Sequence, residues 1–153
     1  MKVDDILSYK GREVFKANEN DPICKVLDIF ERKRIGSCIV ENDKSEIVGI
    51  MTEKDVLKCF KGISDPSKIK IKKIMTKRED LIIASYDDDI QYAMSMMIEH
   101  RIKHLPIFKD TKLCGMISIG DIIKAKLEQS NHVAKTYLDH ILGKVPKLNN
   151  QKF

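Results

Sequence analysis

The sequence predicts a mixed α/β (α+β) protein built of two half-domains, each running strand, helix, strand, strand, helix. The halves are expected to pack pseudo-symmetrically, with one further helix at the C-terminus. Three observations predict this. Gly49-Ile-Met-Thr52-Glu-Lys-Asp55-Val-Leu-Lys58 returns as Gly115-Met-Ile-Ser118-Ile-Gly-Asp121-Ile-Ile-Lys124. Upstream, Ala17, Ile23, Leu27, Phe30 and Arg34 reappear 67 positions later as Ala84, Ile90, Met94, Met97 and Arg101, whereas the Gly-to-Asp segment is shifted by 66, so one residue is deleted within the second copy. A period of this length is too long for a solenoid and too short for two independent folds of ordinary size.

The elements follow in order. Val14-Phe15-Lys16 and Leu81-Ile82-Ile83 are the first strands, each followed by an acidic turn, 18–21 or 87–89. Ile23, Val26, Leu27 and Phe30, and in the second copy Ile90, Ala93, Met94 and Met97, recur at helical spacing, which predicts helices ending near Arg34 and Arg101. Asp21-Pro22 reads as an N-cap followed by a proline at the first helical position. Segments 37–40 and 46–51, then 105–108 and 113–117, read as paired strands joined by polar turns. A last helix begins at Thr52 or Ser118, where Thr52-Glu-Lys-Asp55 resembles a capping pattern with Asp in place of Glu. Beyond the second copy, Val133, Ala134, Tyr137, Leu138 and Ile141 form an apolar stripe on a helix over 131–142 that Gly143 stops. The resulting division is repeat one 1–62, linker 63–70, repeat two 71–128, C-terminal helix 129–142 and a tail 143–153 read as disordered.

Composition excludes several classes. With 42% apolar and 33% charged residues the chain is globular rather than disordered. Its apolar runs are too short to span a bilayer and Met1-Lys2-Val3-Asp4-Asp5 is no signal peptide, so a cytoplasmic location is expected. Cys24, Cys38, Cys59 and Cys114 form no C-x-x-C pair and read as buried reduced thiols. The net charge of +5 is spread along the chain, and the cluster Lys68-Ile-Lys70-Ile-Lys72-Lys73 reads as a solvated linker face, not a nucleic-acid surface. His100 and His104 are spaced like helical metal ligands, but the helix is expected to end between them and no third ligand is near, so no metal is expected. No P-loop, G-x-S-x-G or H-E-x-x-H occurs, and no enzyme activity or catalytic residue is expected.

The repeated motif carries the function. A strand running into a helix leaves backbone N–H groups at the junction, suited to an anion. Thr52 and Ser118 place a hydroxyl there to bind phosphate, and Asp55 and Asp121, about one turn on, offer two oxygens to vicinal ribose hydroxyls. Helix capping alone would also favour these residues.

The two Gly-h-h-[Ser/Thr]-x-x-Asp elements and Arg101-Ile-Lys-His104-Leu-Pro106-Ile-Phe108 resemble the cystathionine-beta-synthase (CBS) domain family, whose units pair in tandem as a Bateman module. The resemblance covers roughly residues 1–127. It implies an adenine slot beside the first strand and the entry of the second: Ile83, Ala84, Ile102, Lys103 and Met116 in copy two, and Lys16, Ala17, Ile35, Gly36, Ser37 and Ile50 in copy one. Arg101 and His104 look like phosphate contacts, Lys54 stands where relatives carry Arg, and Arg34 matches Arg101. Copy one has Gly36-Ser37-Cys38-Ile39 where copy two has Lys103-His104-Leu105-Pro106, so it lacks the His and Pro of the family pattern. On this grouping Ser118, Asp121, Arg101 and His104 converge on one, stronger cleft. The implied function is a stand-alone module binding AMP, ADP, ATP or NAD(H), with S-adenosylmethionine ranked below these. It would act as an energy- or redox-state sensor, a homodimer through its repeat helices, regulating a partner protein. The alternative is an interaction scaffold with vestigial nucleotide sites.

Overall fold

The protein is described by a computed structural model over residues 1–60 and 65–129. The expected C-terminal helix, the tail and part of the linker lie outside the described residues. Helix α1 (Val3–Lys10) precedes β1 (Lys16–Asn18), α2 (Ile23–Lys33), β2 (Ser37–Glu41), β3 (Ile47–Thr52) and α3 (Glu53–Val56). After 3-10 turns come β4 (Thr76–Lys77), β5 (Ala84–Ser85), α4 (Ile90–Glu99), β6 (His104–Lys109), β7 (Lys112–Ser118) and α5 (Ile119–Gln129). The fold is mixed α/β with two small sheets, ordered β1-β2-β3-β4 and β5-β6-β7. In each the first strand runs parallel to the second and the second antiparallel to the third, with Ala17 opposite Val40 and Ala84 opposite Ile107.

Three local expectations are corrected. The first strands begin later than 14 and 81, because the register with β2 and β6 starts at Lys16 and Ala84, Phe15 contributing its carbonyl to the Ile39 N–H at 2.9 Å. Asp21 is not the cap of α2; Pro22 holds that position, and the Asp21 carboxylate instead accepts from the Asn18 N–H at 3.1 Å and Lys25 Nζ at 2.8 Å. In repeat two Asp89 does cap α4, accepting from the Gln91 N–H at 2.8 Å. The last helix of copy one is a short α3 followed by a 3-10 turn over Leu57–Phe60, whereas α5 runs 11 residues.

The sequence pattern did not predict α1, although Val3, Ile6 and Leu7 sit at helical spacing. These three side chains are buried, and they pack not in the core of their own repeat but with Ala84, Ile90, Leu105, Ile107 and Ile117 of the second. Ile71 and Ile74, which lead the second repeat, are buried with Ala17, Ile23, Val40 and Met51 of the first. The exchange is symmetric down to the backbone. Val3 N–H donates to Asp88 O, Asp4 N–H to Tyr86 O and Ile90 N–H to Met1 O, at 2.9, 2.9 and 3.1 Å. The same bonds recur as Ile71 to Asp21, Lys72 to Glu19 and Ile23 to Ile69, at 3.0, 3.1 and 2.9 Å.

The repeated glycines admit these crossing segments. A Cβ on Gly115 would lie 2.7 Å from Leu7 Cδ2, and one on Gly49 would lie 2.2 Å from Thr76 O, where β4 closes the first sheet. Between the sheets Ile39, Ile50 and Met116 form a third cluster on the pseudo-symmetry axis. No described helix is long and apolar enough to cross a membrane.

Leu7→Ala should cost about 2–5 kcal/mol as a core truncation. Gly115→Ala should cost about 1–3 kcal/mol by overpacking, and distinctly less in the Leu7→Ala background, where the clash is gone. Urea unfolding of the four proteins checks this, and strictly additive costs would contradict the packing.

Candidate functional site

Each strand-to-helix corner is tied to the entry of the second strand of its own repeat. Glu53 N–H donates to Gly36 O at 3.1 Å, and Ile119 N–H to Lys103 O at 2.9 Å. Within each corner the hydroxyl and the Asp cap one another. Thr52 N–H and Oγ1 both donate to Asp55 Oδ2 at 3.0 Å. Ser118 N–H and Oγ donate to Asp121 Oδ2 at 2.7 and 2.8 Å, and Asp121 N–H returns a bond to Ser118 Oγ at 3.2 Å. Thus the backbone N–H groups of Thr52, Glu53, Ser118, Ile119 and Asp121 are already satisfied at the corners.

Two clefts open beside these corners, and both are assembled across the repeats. The first, about 560 Å³, takes Thr52, Lys54, Asp55 and Ile50 from repeat one and Arg101, Ile102, Lys103 and His104 from repeat two. Leu81 and Ile82 complete its apolar wall. The second, about 510 Å³, takes Ser118, Asp121 and Met116 from repeat two and Arg34, Ile35, Gly36 and Ser37 from repeat one, with Val14 and Phe15 as apolar wall. Arg101, expected beside Ser118 and Asp121 of its own copy, lines the first cleft instead, and the residues of each motif are grouped crosswise. Gly36 and His104 line both clefts. Lys16, Ala17, Ile83 and Ala84 line neither. Ala17 and Ala84 are buried in the two cores, Ile83 is 46% exposed, and Lys16 Nζ bonds Glu41 Oε1 at 2.6 Å. Because the strands begin late, the cleft walls fall to the residues just before them.

The two carboxylates are not equivalent. Asp55 is 3% exposed, and its Oδ1 accepts from Lys58 Nζ at 2.5 Å while Thr52 donates twice to Oδ2. Asp121 is less buried; Lys10 Nζ joins Ser118 on Oδ2 at 2.5 Å, and Oδ1 carries no bond to any described residue. Burial alone would raise the Asp121 pKa, but the Lys10 and Ser118 hydrogen bonds outweigh it and hold the carboxyl below its usual range. Lys10, Lys58, Glu53 and Arg12 were missed by the sequence reading; Lys58 alone had a visible signal, being one turn beyond Asp55.

Arg34 and Arg101 occupy matching left-handed positions at the ends of α2 and α4, each with φ 53°. That conformation is unfavourable for a residue with a Cβ and aims the chain from helix into the cleft wall. His104 faces Gly36 of the other repeat, where a Cβ would lie 3.1 Å from the ring's Cε1 and 3.2 Å from Glu53 Cδ. Ser37 Oγ donates to Met116 Sδ at 2.8 Å, a buried contact between repeats. Of the four thiols expected to be buried, Cys38 and Cys59 are, whereas Cys24 is exposed and Cys114 half-buried; burial pushes the Cys38 thiol up to about 12. Among the described residues no group of three or more His, Cys, Asp or Glu is placed to hold a metal ion.

The repeat geometry agrees with what comparison finds. A family model described as "CBS domain" matches residues 3–62 and again 71–128. The chain belongs to the CBS domain family. It is 27% identical over 149 residues to the mitochondrial CBS domain-containing protein CBSX3 of Arabidopsis thaliana, covering 92% of this chain and 72% of that protein. A putative signal-transduction protein with CBS domains from Burkholderia ambifaria has the same fold at TM-score 0.78 and 28% identity, over 86% of this chain and 98% of its own. The CBS domain pair of protein MJ0100, solved with 5′-methylthioadenosine and S-adenosyl-L-methionine, matches in fold at TM-score 0.72 and 23% identity, over 85% and 98% of the two chains.

Burial lowers the His104 pKa; Glu53 opposes this, Lys10 adds to it, Asp121 opposes and Lys103 adds. Its proton NMR titration should therefore have a midpoint below the ordinary value of about 6.5. With the folded-state pKa depressed, the neutral ring's contribution to stability is complete above that value. It is lost as pH falls from it to the folded midpoint. A midpoint above the ordinary value would contradict the burial of the ring.

Proposed function

We propose that this CBS pair binds an adenosine-containing nucleotide, AMP, ADP, ATP or NAD(H), in its two inter-repeat clefts. The single observation that carries the reading is the pair of clefts themselves. Each joins a Thr/Ser-x-x-Asp corner from one repeat to a helix-ending Arg and an apolar wall from the other. The wall suits a base, the Asp a ribose and the Arg, Lys and His cations a phosphate. The adenosine compounds bound by protein MJ0100 support the class of ligand. In this reading the base lies between Phe15 and Ile35 in the second cleft, and between Ile82 and Ile102 in the first.

Because each cleft spans both repeats, an occupant stabilises one relative placement of the two sheets over others. This is the basis for a sensor that regulates a partner protein. No catalytic step is assigned to the chain. We place it in a reducing compartment such as the cytoplasm, in keeping with its four free cysteines. The exposed Leu27 on α2, and Tyr92 and Ile98 on α4, 53% and 65% exposed, fit a homodimer formed through the repeat helices. For the first cleft the scaffold reading has its own support, since both Asp55 oxygens are engaged and the residue is buried.

A titration calorimetry panel of AMP, ATP, NAD and S-adenosylmethionine, with product analysis of the mixtures, tests the function. A ligand at 100 times its dissociation constant should add about 2.7 kcal/mol of stability. Unmoved unfolding curves with every compound at millimolar concentration would refute the reading.

Asp121→Ala should weaken the tightest binding event at least about tenfold, the loss of one charged hydrogen bond. Asp55→Ala should instead lower stability, by about 1 kcal/mol or more for a lost capping box, and spare that event. The reverse result would make the first cleft the primary site. Light scattering should give the mass of a dimer; a monomer mass independent of concentration would count against the interface.

A further inference from the structure

Two cations in the second cleft, Lys10 and Arg12, come from outside both repeated motifs. Helix α1 is pinned to the second repeat by Val3, Ile6 and Leu7, with Leu7 seated against Gly115. Lys10, three residues past Leu7, closes the helix, and Gly11 at φ 99° turns the chain away. From this fixed point Lys10 Nζ donates to Asp121 Oδ2 at 2.5 Å and to Met116 O at 2.9 Å.

Asp121 Oδ2 therefore accepts three donors: Lys10 Nζ, Ser118 N–H and Ser118 Oγ. A pair of vicinal ribose hydroxyls needs both carboxylate oxygens. Ser118 keeps two of the three places on Oδ2 and Lys10 holds the third, so only Oδ1 is open to them while Lys10 is in place. The first cleft has no equivalent element, since Asp55 is met by Lys58 of its own corner rather than by a distant helix.

We propose that Lys10 is a selectivity latch, a specificity-determining residue that occupies the ribose acceptor of the second cleft until the phosphate of an incoming nucleotide draws it off. The inference rests on the nucleotide reading of that cleft. An uncharged nucleoside must break the Lys10–Asp121 pair without compensation. A nucleotide breaks the same pair but gives the ammonium a phosphate oxygen in exchange, so the latch selects for phosphate and against the bare nucleoside. Arg12, which also lines this cleft, pairs with Asp4 Oδ1 at 2.5 Å and not with Asp121, so the ribose acceptor is occupied by Lys10 and not by Arg12.

The test compares adenosine and AMP binding to the wild-type chain and to Lys10→Met, which keeps the length of the side chain and removes its charge. The substitution should strengthen adenosine binding and weaken AMP binding, reducing the AMP preference at least about tenfold. If the wild type binds both compounds and the preference is unchanged in Lys10→Met, the latch is wrong while the nucleotide site stands. If neither protein binds any adenosine compound, the site and the latch fall together. A ligand-free measurement stands beside these. The carboxyl titration of Asp121, read by NMR, should move upward in Lys10→Met, with His104 and Tyr9 as the other titrating groups facing it. An unmoved Asp121 titration would overturn the latch whatever binds.

Discussion

The structure depends on an exchange of leading segments between the two repeats. Residues 1–7 complete the second core and residues 69–76 complete the first, through matched backbone hydrogen bonds and matched apolar side chains. Neither half can bury its sheet without the other's segment. Val3, Ile6, Leu7 and Ile71 are essentially inaccessible to solvent, and burying each fully is worth about 1.5–3 kcal/mol. Gly49 and Gly115 are retained in the motif because a side chain there would collide with the crossing segment, not because a turn or a ligand requires them.

The crossing also dictates how the clefts are made. With the sheets packed over Ile39, Ile50 and Met116, each strand-to-helix corner, hydrogen-bonded to the strand entry of its own repeat, opens onto a cleft that the opposite repeat's strand entry also lines. Gly36 and His104 then line both clefts, and the absence of a side chain at Gly36 leaves room for the His104 ring. The two sites consequently share a wall while differing at the carboxylate. Asp55 is enclosed by its own helix, and Asp121 is held by a lysine borrowed from α1.

Much of this was legible in the sequence. The repeat gave the element order, the ends of α2 and α4, and the β2, β3, β6 and β7 pairings to within about a residue, because helical and alternating periodicities are local signals. The Thr/Ser-x-x-Asp corners were legible as residues, and both the ligand and the capping readings of them stood open. The crosswise grouping was not legible, since two copies of one motif look identical whether each cleft is built within a repeat or between repeats. The segments that decide the matter, 1–7 and 69–76, diverge too far to stand out, although Val3 and Ile71 hold equivalent places at an offset of 68. Lys10 was invisible for the same reason, being 111 residues from the carboxylate it meets. Lys16, Ala17, Ile83 and Ala84 entered the candidate slot because the strands were placed two or three residues early.

The most direct test of the crossed clefts is a map of backbone amide shifts as AMP is added to the wild-type protein and to Asp121→Ala. Removing the Asp121 carboxylate should erase the shifts at Phe15 and Ile35, in the other repeat, and leave those at Ile82 and Ile102. Loss of the Ile82 and Ile102 shifts with Phe15 and Ile35 unaffected would contradict it, and would place each cleft within a single repeat.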